Sequence, residues 1–301
     1  MFQPIGISHS KFKLIRHFAE IIRIDKLGRV KASPWGMLYL FVVVFAVALF
    51  TQVLACEVAL DANTALLITA ALYVLIFLVV FMLIRHGGER FSKIGLRISG
   101  LGTFILLAAV LGIIAQFIWA ILLAVAAGHL AFDFGALQIG TFLFEVLVMA
   151  LLVGFIEESA FRGYIQRKFT ASYGFVRALI LASFLFMFVH IQFYTYLRLY
   201  QLAGSAVTIV IQFSVTQIII TTFTLGIVTG YLYFKSKSIF PPAAFHIMLN
   251  VGGLLMLYSN ASTIAFTLSY GSFAILWMFW AVVVGALVWV ATKAIFPKKR
   301  V

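Results

Sequence analysis

Long apolar runs, separated by short polar or basic breaks, dominate this chain. Eight of them are long enough to cross a bilayer as helices: Pro34–Ala55, Ala62–Ile84, Leu101–Ala127, Ile139–Phe161, Val176–Tyr196, Ala206–Phe234, Ile239–Tyr258 and Tyr270–Ala294. The clearest break is "RHGGERFSKIGLRISG" (85–100), with paired glycines and four basic residues, between a first helical hairpin and the other six helices. "IFPPAAFHIMLN" (239–250) opens the seventh span. Its Pro241 and Pro242 suit a first helical turn, where no N–H partner is required. Small residues scattered through helices three to six suit close helix packing in lipid. No internal repeat or low-complexity linker interrupts the pattern. The expected fold is all-α: one polytopic membrane bundle of about eight transmembrane helices over residues 34–301.

Residues 1–33 differ from the rest. Ile7, Phe12, Ile15, Phe18 and Ile22 recur at roughly helical spacing, with Lys11, Arg16 and Arg23 between them. This predicts a basic amphipathic helix lying on the membrane surface. Seven Lys/Arg and no apolar core of the right length argue against a signal peptide here.

Composition supports the membrane assignment. Hydrophobic residues are 64% of the 301 and charged residues 10%, too little polar surface for a water-soluble domain. The net charge of +13 requires no nucleic-acid partner, because its distribution explains it. Lys and Arg cluster in alternate loops: Lys11–Lys31, Arg85–Arg97, Arg162–Arg177, Lys235 with Lys237, and Lys293–Arg300. The intervening loops hold Glu57, Asp61, Asp133 and one basic residue, Arg198. By the positive-inside rule, eight spans then leave both termini cytoplasmic. Cys56 is the only cysteine, so no internal disulfide forms, and it reads as filler near the outer end of the first span.

Few ionisable groups fall inside the spans: Glu145, Glu157, Glu158, Arg162, His190 and His246, with Asn250 adding an amide. A charge at the bilayer centre costs about 2.5–3.5 kcal/mol on insertion scales, so such residues tend to face the bundle interior and to mark function. Counting from the nearest cytoplasmic basic residue at the helical rise, Glu157, His246 and His190 lie about 15, 14 and 20 Å deep. Three helices therefore bring a glutamate and two histidines towards one layer. Glu145, about 18 Å further along its helix, belongs near the opposite surface and reads as structural.

Glu158 and Arg162 are four residues apart and share a face, so they can pair. Glu157 is rotated by about 100° and points elsewhere. Phe186 with His190, and His246 with Asn250, each share a stripe. A carboxylate and a histidine can hold and deprotonate a water. A second histidine with an amide can donate hydrogen bonds to a developing oxyanion. That set suffices for peptide hydrolysis without a serine or cysteine nucleophile. Ser159, on a helix, faces away from Glu157.

"EESAFR", "FMFVH" and "HIMLN" fit Glu-Glu-x-x-x-Arg, Phe-x-x-x-His and His-x-x-x-Asn on successive membrane helices. In that order they resemble the CPBP family, the CAAX protease and bacteriocin-processing proteins, which includes the type II CAAX prenyl endopeptidase, or Ras-converting enzyme. The resemblance covers about residues 85–260, and "SKIGLR" before the third span is similar to the family's lead into its core. It implies an intramembrane glutamic endopeptidase with an eight-helix core, without metal or other cofactor, in a cell membrane, the plasma membrane of a prokaryote. By position, Glu157 would activate water with His190, His246 and Asn250 would form the oxyanion hole, and Glu158 with Arg162 would support them, Phe186 packing between. The implied partners are the lipid bilayer and a membrane-associated peptide or protein.

Other readings stay open at this level. Two carboxylates and two histidines could hold Zn²⁺, although no His-Glu-x-x-His is present and the histidines lie on different helices. A bacteriocin-immunity factor or scaffold could retain the fold without activity. A proton-coupled transporter also uses buried Glu and His, but inverted repeats are lacking. Some relatives cleave prenylated C-terminal peptides and others act on different membrane-associated peptides. The 32 Phe define no specificity pocket by themselves.

Overall fold

The structure, a computed structural model, describes residues 40–46, 49, 62–86, 90–127, 139–202, 210–258 and 270–295. The amphipathic segment expected over 1–33, and Cys56, lie outside the described residues. Eight helices make up most of what is described, and no strand occurs among the described residues. They are α1 (40–46), α2 (Ala62–His86), α3 (Gly102–Ala127), α4 (Ile139–Tyr173), α5 (Phe175–Leu202), α6 (Val210–Ser236), α7 (Phe240–Tyr258) and α8 (Tyr270–Ile295). A short 3-10 turn, Phe91–Ile94, precedes α3.

Four stretches are long and apolar enough to cross a membrane: Leu66–Arg85, Gly102–Ala126, Ile139–Tyr173 and Ala274–Ile295. Their outer faces carry large apolar side chains, among them Leu106, Phe117, Val125, Val282 and Trp289. Lipid supports such a surface and water does not. Phe175–His190 and Phe240–Met256 are shorter apolar stretches. α7 has less need of a long apolar run, because α3, α4 and α6 pack around it. The chain is thus a helical membrane protein built around α7, with α5 packed on α6 and α4, α8 on α3 and α6, and α2 on α4.

α7 starts at Phe240, so Pro241 and Pro242 occupy its first turn as the sequence predicts. Its start is tied to the segment before α3. The Ser238 hydroxyl donates to the Arg97 carbonyl (2.6 Å) and the Ile239 amide to the Gly95 carbonyl (3.0 Å). On the α3 side, a Cβ at Gly112 would sit 2.3 Å from the carbonyl oxygen of Phe245. Only glycine permits so close an approach, and Phe245 immediately precedes His246.

α4 departs from expectation in two ways. The predicted span ended at Phe161, whereas the helix continues through Tyr173. Its polar extension remains helical because its side chains find partners on the helix and its neighbour. Gln166 donates to the Gly230 carbonyl (2.9 Å) and Arg167 to that of Gly163 (3.1 Å). The helix ends where Gly174 adopts φ 77°, and α5 begins at the next residue. Second, α4 is not uniformly α-helical. Val146–Val153 and Ser159–Gln166 are π-helical and flank the α-helical Gly154–Glu158. π segments are rare and concentrate at functional sites.

Candidate active site

Gly154–Glu158 carries both glutamates, and both are buried, Glu158 completely. The two carboxylates meet different sets of partners, with His246 common to both, as their angular separation on the helix allows. Glu158 is shared between two groups. Its Oε1 lies 3.0 Å from His246 Nδ1 of α7, and its Oε2 lies 3.0 Å from Arg162 Nε one turn on. The Arg162 Nε–H points at the Thr229 hydroxyl of α6 (2.8 Å), so its contact with Glu158 is an ion pair of charge and distance. Thr229 in turn donates to the Leu225 carbonyl (2.8 Å).

Phe186 of α5 joins these groups. Its buried ring lies edge-on to Phe161 (5.0 Å between centroids) and contacts the rings of His190 (4.5 Å) and His246 (5.9 Å). The guanidinium carbon of Arg162 sits 4.7 Å from its centroid. Among the described residues, no hydrogen-bond acceptor meets the buried terminal nitrogens of Arg162, so the aromatic face is a second stabilising contact for the cation.

Glu157 shares His246 with Glu158 but otherwise has its own partners. Its Oε2 lies 3.8 Å from His190 Nε2 and 3.9 Å from His246 Nε2. These separations are too long for direct hydrogen bonds and short enough for one water to bridge. Both imidazoles are oriented by their other nitrogen. His190 Nδ1 lies 2.8 Å from the Phe186 carbonyl, which only accepts, so this nitrogen carries the proton. His246 Nδ1 is held by the Glu158 carboxylate. Glu157 Oε1 accepts a hydrogen bond from the Tyr73 hydroxyl of α2 (2.8 Å).

Glu157, Glu158, Arg162, Phe186, His190 and His246 therefore form one contiguous cluster from α4, α5 and α7, although the helix count alone put His190 somewhat deeper. Asn250 is half-buried one turn beyond His246 on α7, and no hydrogen bond links it to Glu157, Glu158 or His190. Glu145 is half-buried at the junction of the first α and π segments of α4. The Ser159 hydroxyl donates to the Phe155 carbonyl of its own helix (2.8 Å). Among the described residues, no group of three or more His, Cys, Asp or Glu side chains is arranged to hold a metal ion.

Two participants escaped the sequence reading. Thr229 lies in "TTFTLGIVTG" with nothing to single it out. Tyr73 left a signal that could have been read. It is twelve residues before Arg85, about 18 Å deep at the helical rise, whereas membrane tyrosines favour the interface. Its depth lies between those counted for Glu157 and His190.

No curated protein and no solved structure matches the chain. A family model does match, over residues 139–252, the stretch that holds every motif residue of the cluster. That family is described as type II CAAX prenyl endopeptidase Rce1-like, and residues 139–252 of this chain are similar to it.

Proposed function

We propose that the protein is an intramembrane glutamic endopeptidase that hydrolyses membrane-associated peptides, prenylated CAAX-type peptides among them, without a metal ion. The observation that carries this reading is the convergence of two imidazole Nε2 atoms on one carboxylate oxygen of Glu157, at 3.8 and 3.9 Å. A water between Glu157 Oε2 and His190 Nε2 meets two acceptors, so it presents its oxygen lone pair away from them. As that oxygen bonds to the scissile carbonyl carbon, its proton passes to the Glu157 carboxylate. The carbonyl oxygen takes up negative charge and accepts from the Asn250 amide and from His246. With Nδ1–H given to Glu158, His246 donates from Nε2 only as the doubly protonated ring, a charge that Glu158 balances. Collapse of the tetrahedral intermediate breaks the C–N bond, and Glu157 returns its proton to the leaving amine.

The test is cleavage of a quenched, farnesylated CAAX peptide by the purified protein in detergent. Turnover is expected and is unchanged by EDTA or phenanthroline. Loss of turnover that added zinc restores would replace this reading with a metalloprotease. No cleavage of this peptide or of its unprenylated form would favour a non-enzymatic immunity or scaffold role.

The mechanism sits in a proposed topology of eight spans with both termini cytoplasmic, supported by the alternation of basic loops. Reporter fusions at Asn260 and after Val301 are expected on opposite sides of the membrane. The same side for both would overturn this topology.

A further inference from the structure

We propose that Tyr73 is a positioning residue of the active site: its hydroxyl fixes the plane of the Glu157 carboxylate, with Oε2 towards His190 and His246. The proposal rests on the reading of Glu157 as the water-activating carboxylate. Tyr73 belongs to α2, outside the segment that matches the family model, so the first hairpin contributes to the chemistry as well as to the span count.

The geometry carries the argument. The Tyr73 hydroxyl donates to Glu157 Oε1 at 2.8 Å, across a sequence separation of 84 residues. A glutamate's last torsion is broad and sets the plane of its carboxylate only weakly. With Oε1 held from α2, that plane is defined, and Oε2 is left facing His190 and His246. Each oxygen thus has one task, Oε1 to anchor and Oε2 to meet the water. The groups that face this carboxylate are Tyr73 from α2, His190 from α5 and His246 from α7, with Glu158 and Arg162 on its own helix. Tyr73 alone among them combines a neutral donor with a direct bond to Glu157.

Packing by itself does not explain the hydroxyl. The ring is partly buried against the core, a place phenylalanine would fill as well. A phenolic group at mid-membrane depth is costly unless it finds an acceptor, and here the acceptor is the proposed base. A hydrogen bond donated to a carboxylate is short and strong, so it can hold the group in one orientation.

The decisive variant is Tyr73→Phe, which removes one oxygen and keeps the ring. With the farnesylated CAAX peptide, kcat is expected to fall about tenfold, the scale of one hydrogen bond to a charged group, with KM unchanged. A second readout does not depend on turnover. In infrared spectra, the carboxylate band that is lost in Glu157→Gln should shift in frequency in Tyr73→Phe, because Oε1 has lost its donor. An unchanged kcat or an unshifted band would overturn the proposal and leave Tyr73 a packing residue. If the wild type cleaves neither peptide, the proposed function fails, and the infrared band still decides the role of Tyr73.

Discussion

Glu157→Gln should abolish turnover of the farnesylated CAAX peptide while the protein extracts, elutes and melts like wild type. The amide keeps the shape of the side chain and an oxygen for the Tyr73 hydroxyl to reach. It has no negative charge and no affinity for a proton. Its nitrogen, in the place of Oε2, presents a donor where the base presents an acceptor, so a water beside His190 has nowhere to pass its proton. General-base catalysis is worth about 10²–10⁴-fold. Initial rates measured beside a thermal unfolding curve separate loss of chemistry from loss of fold. Retention of half the wild-type rate would remove Glu157 from the role of base.

Glu158→Gln should fail differently, losing stability as well as activity. Glu158 stands 3.0 Å from Arg162 Nε and 3.0 Å from His246 Nδ1, and the three side chains are 0–3% exposed. A glutamine can offer its oxygen to His246 Nδ1, but it carries no charge to pair with Arg162. Arg162 then remains a buried cation without its paired carboxylate, held by Thr229 and the Phe186 ring. Breaking one partner of a buried pair costs about 3–5 kcal/mol, a large part of the stability of an ordinary domain. The measurement is the thermal midpoint in detergent with the yield of folded protein. A paired change, Glu158→Gln with Arg162→Met, removes both charges and should recover part of the stability without the activity, because His246 still lacks its carboxylate. Should Glu158→Gln prove inactive but fully stable while Glu157→Gln stays active, the two glutamates exchange roles.

The π segments suggest why adjacent glutamates can serve such different partners. A single α-turn, Gly154–Glu158, is held between two wider stretches of α4. The wider turns alter the phase of the helix before and after it. Both carboxylates can then face protein, Glu157 towards α2 and α5 and Glu158 towards Arg162, while each also reaches His246 of α7.

What the sequence by itself determined was local or periodic. Apolar run length marked the membrane helices, because backbone groups in lipid must be satisfied within the helix. The i,i+4 spacing paired Glu158 with Arg162 and put Phe186 beside His190, because helical periodicity fixes which neighbours share a face. The rise per residue brought Glu157 and both histidines to one layer. Only the tertiary structure decided the contacts between helices. Tyr73 reaches Glu157 across 84 residues, His246 reaches Glu158 across 88, and Arg162 reaches Thr229 across 67. No periodicity encodes these distances. They depend on the rotation and approach of whole helices, set by close packing such as that of Gly112 against Phe245. The π segments of α4 belong with them, because the choice between i+4 and i+5 hydrogen bonding turns on a small free-energy difference that the surrounding helices supply. The hydrogen-bonded nitrogen of His246 was open for the same reason: its partner comes from another helix.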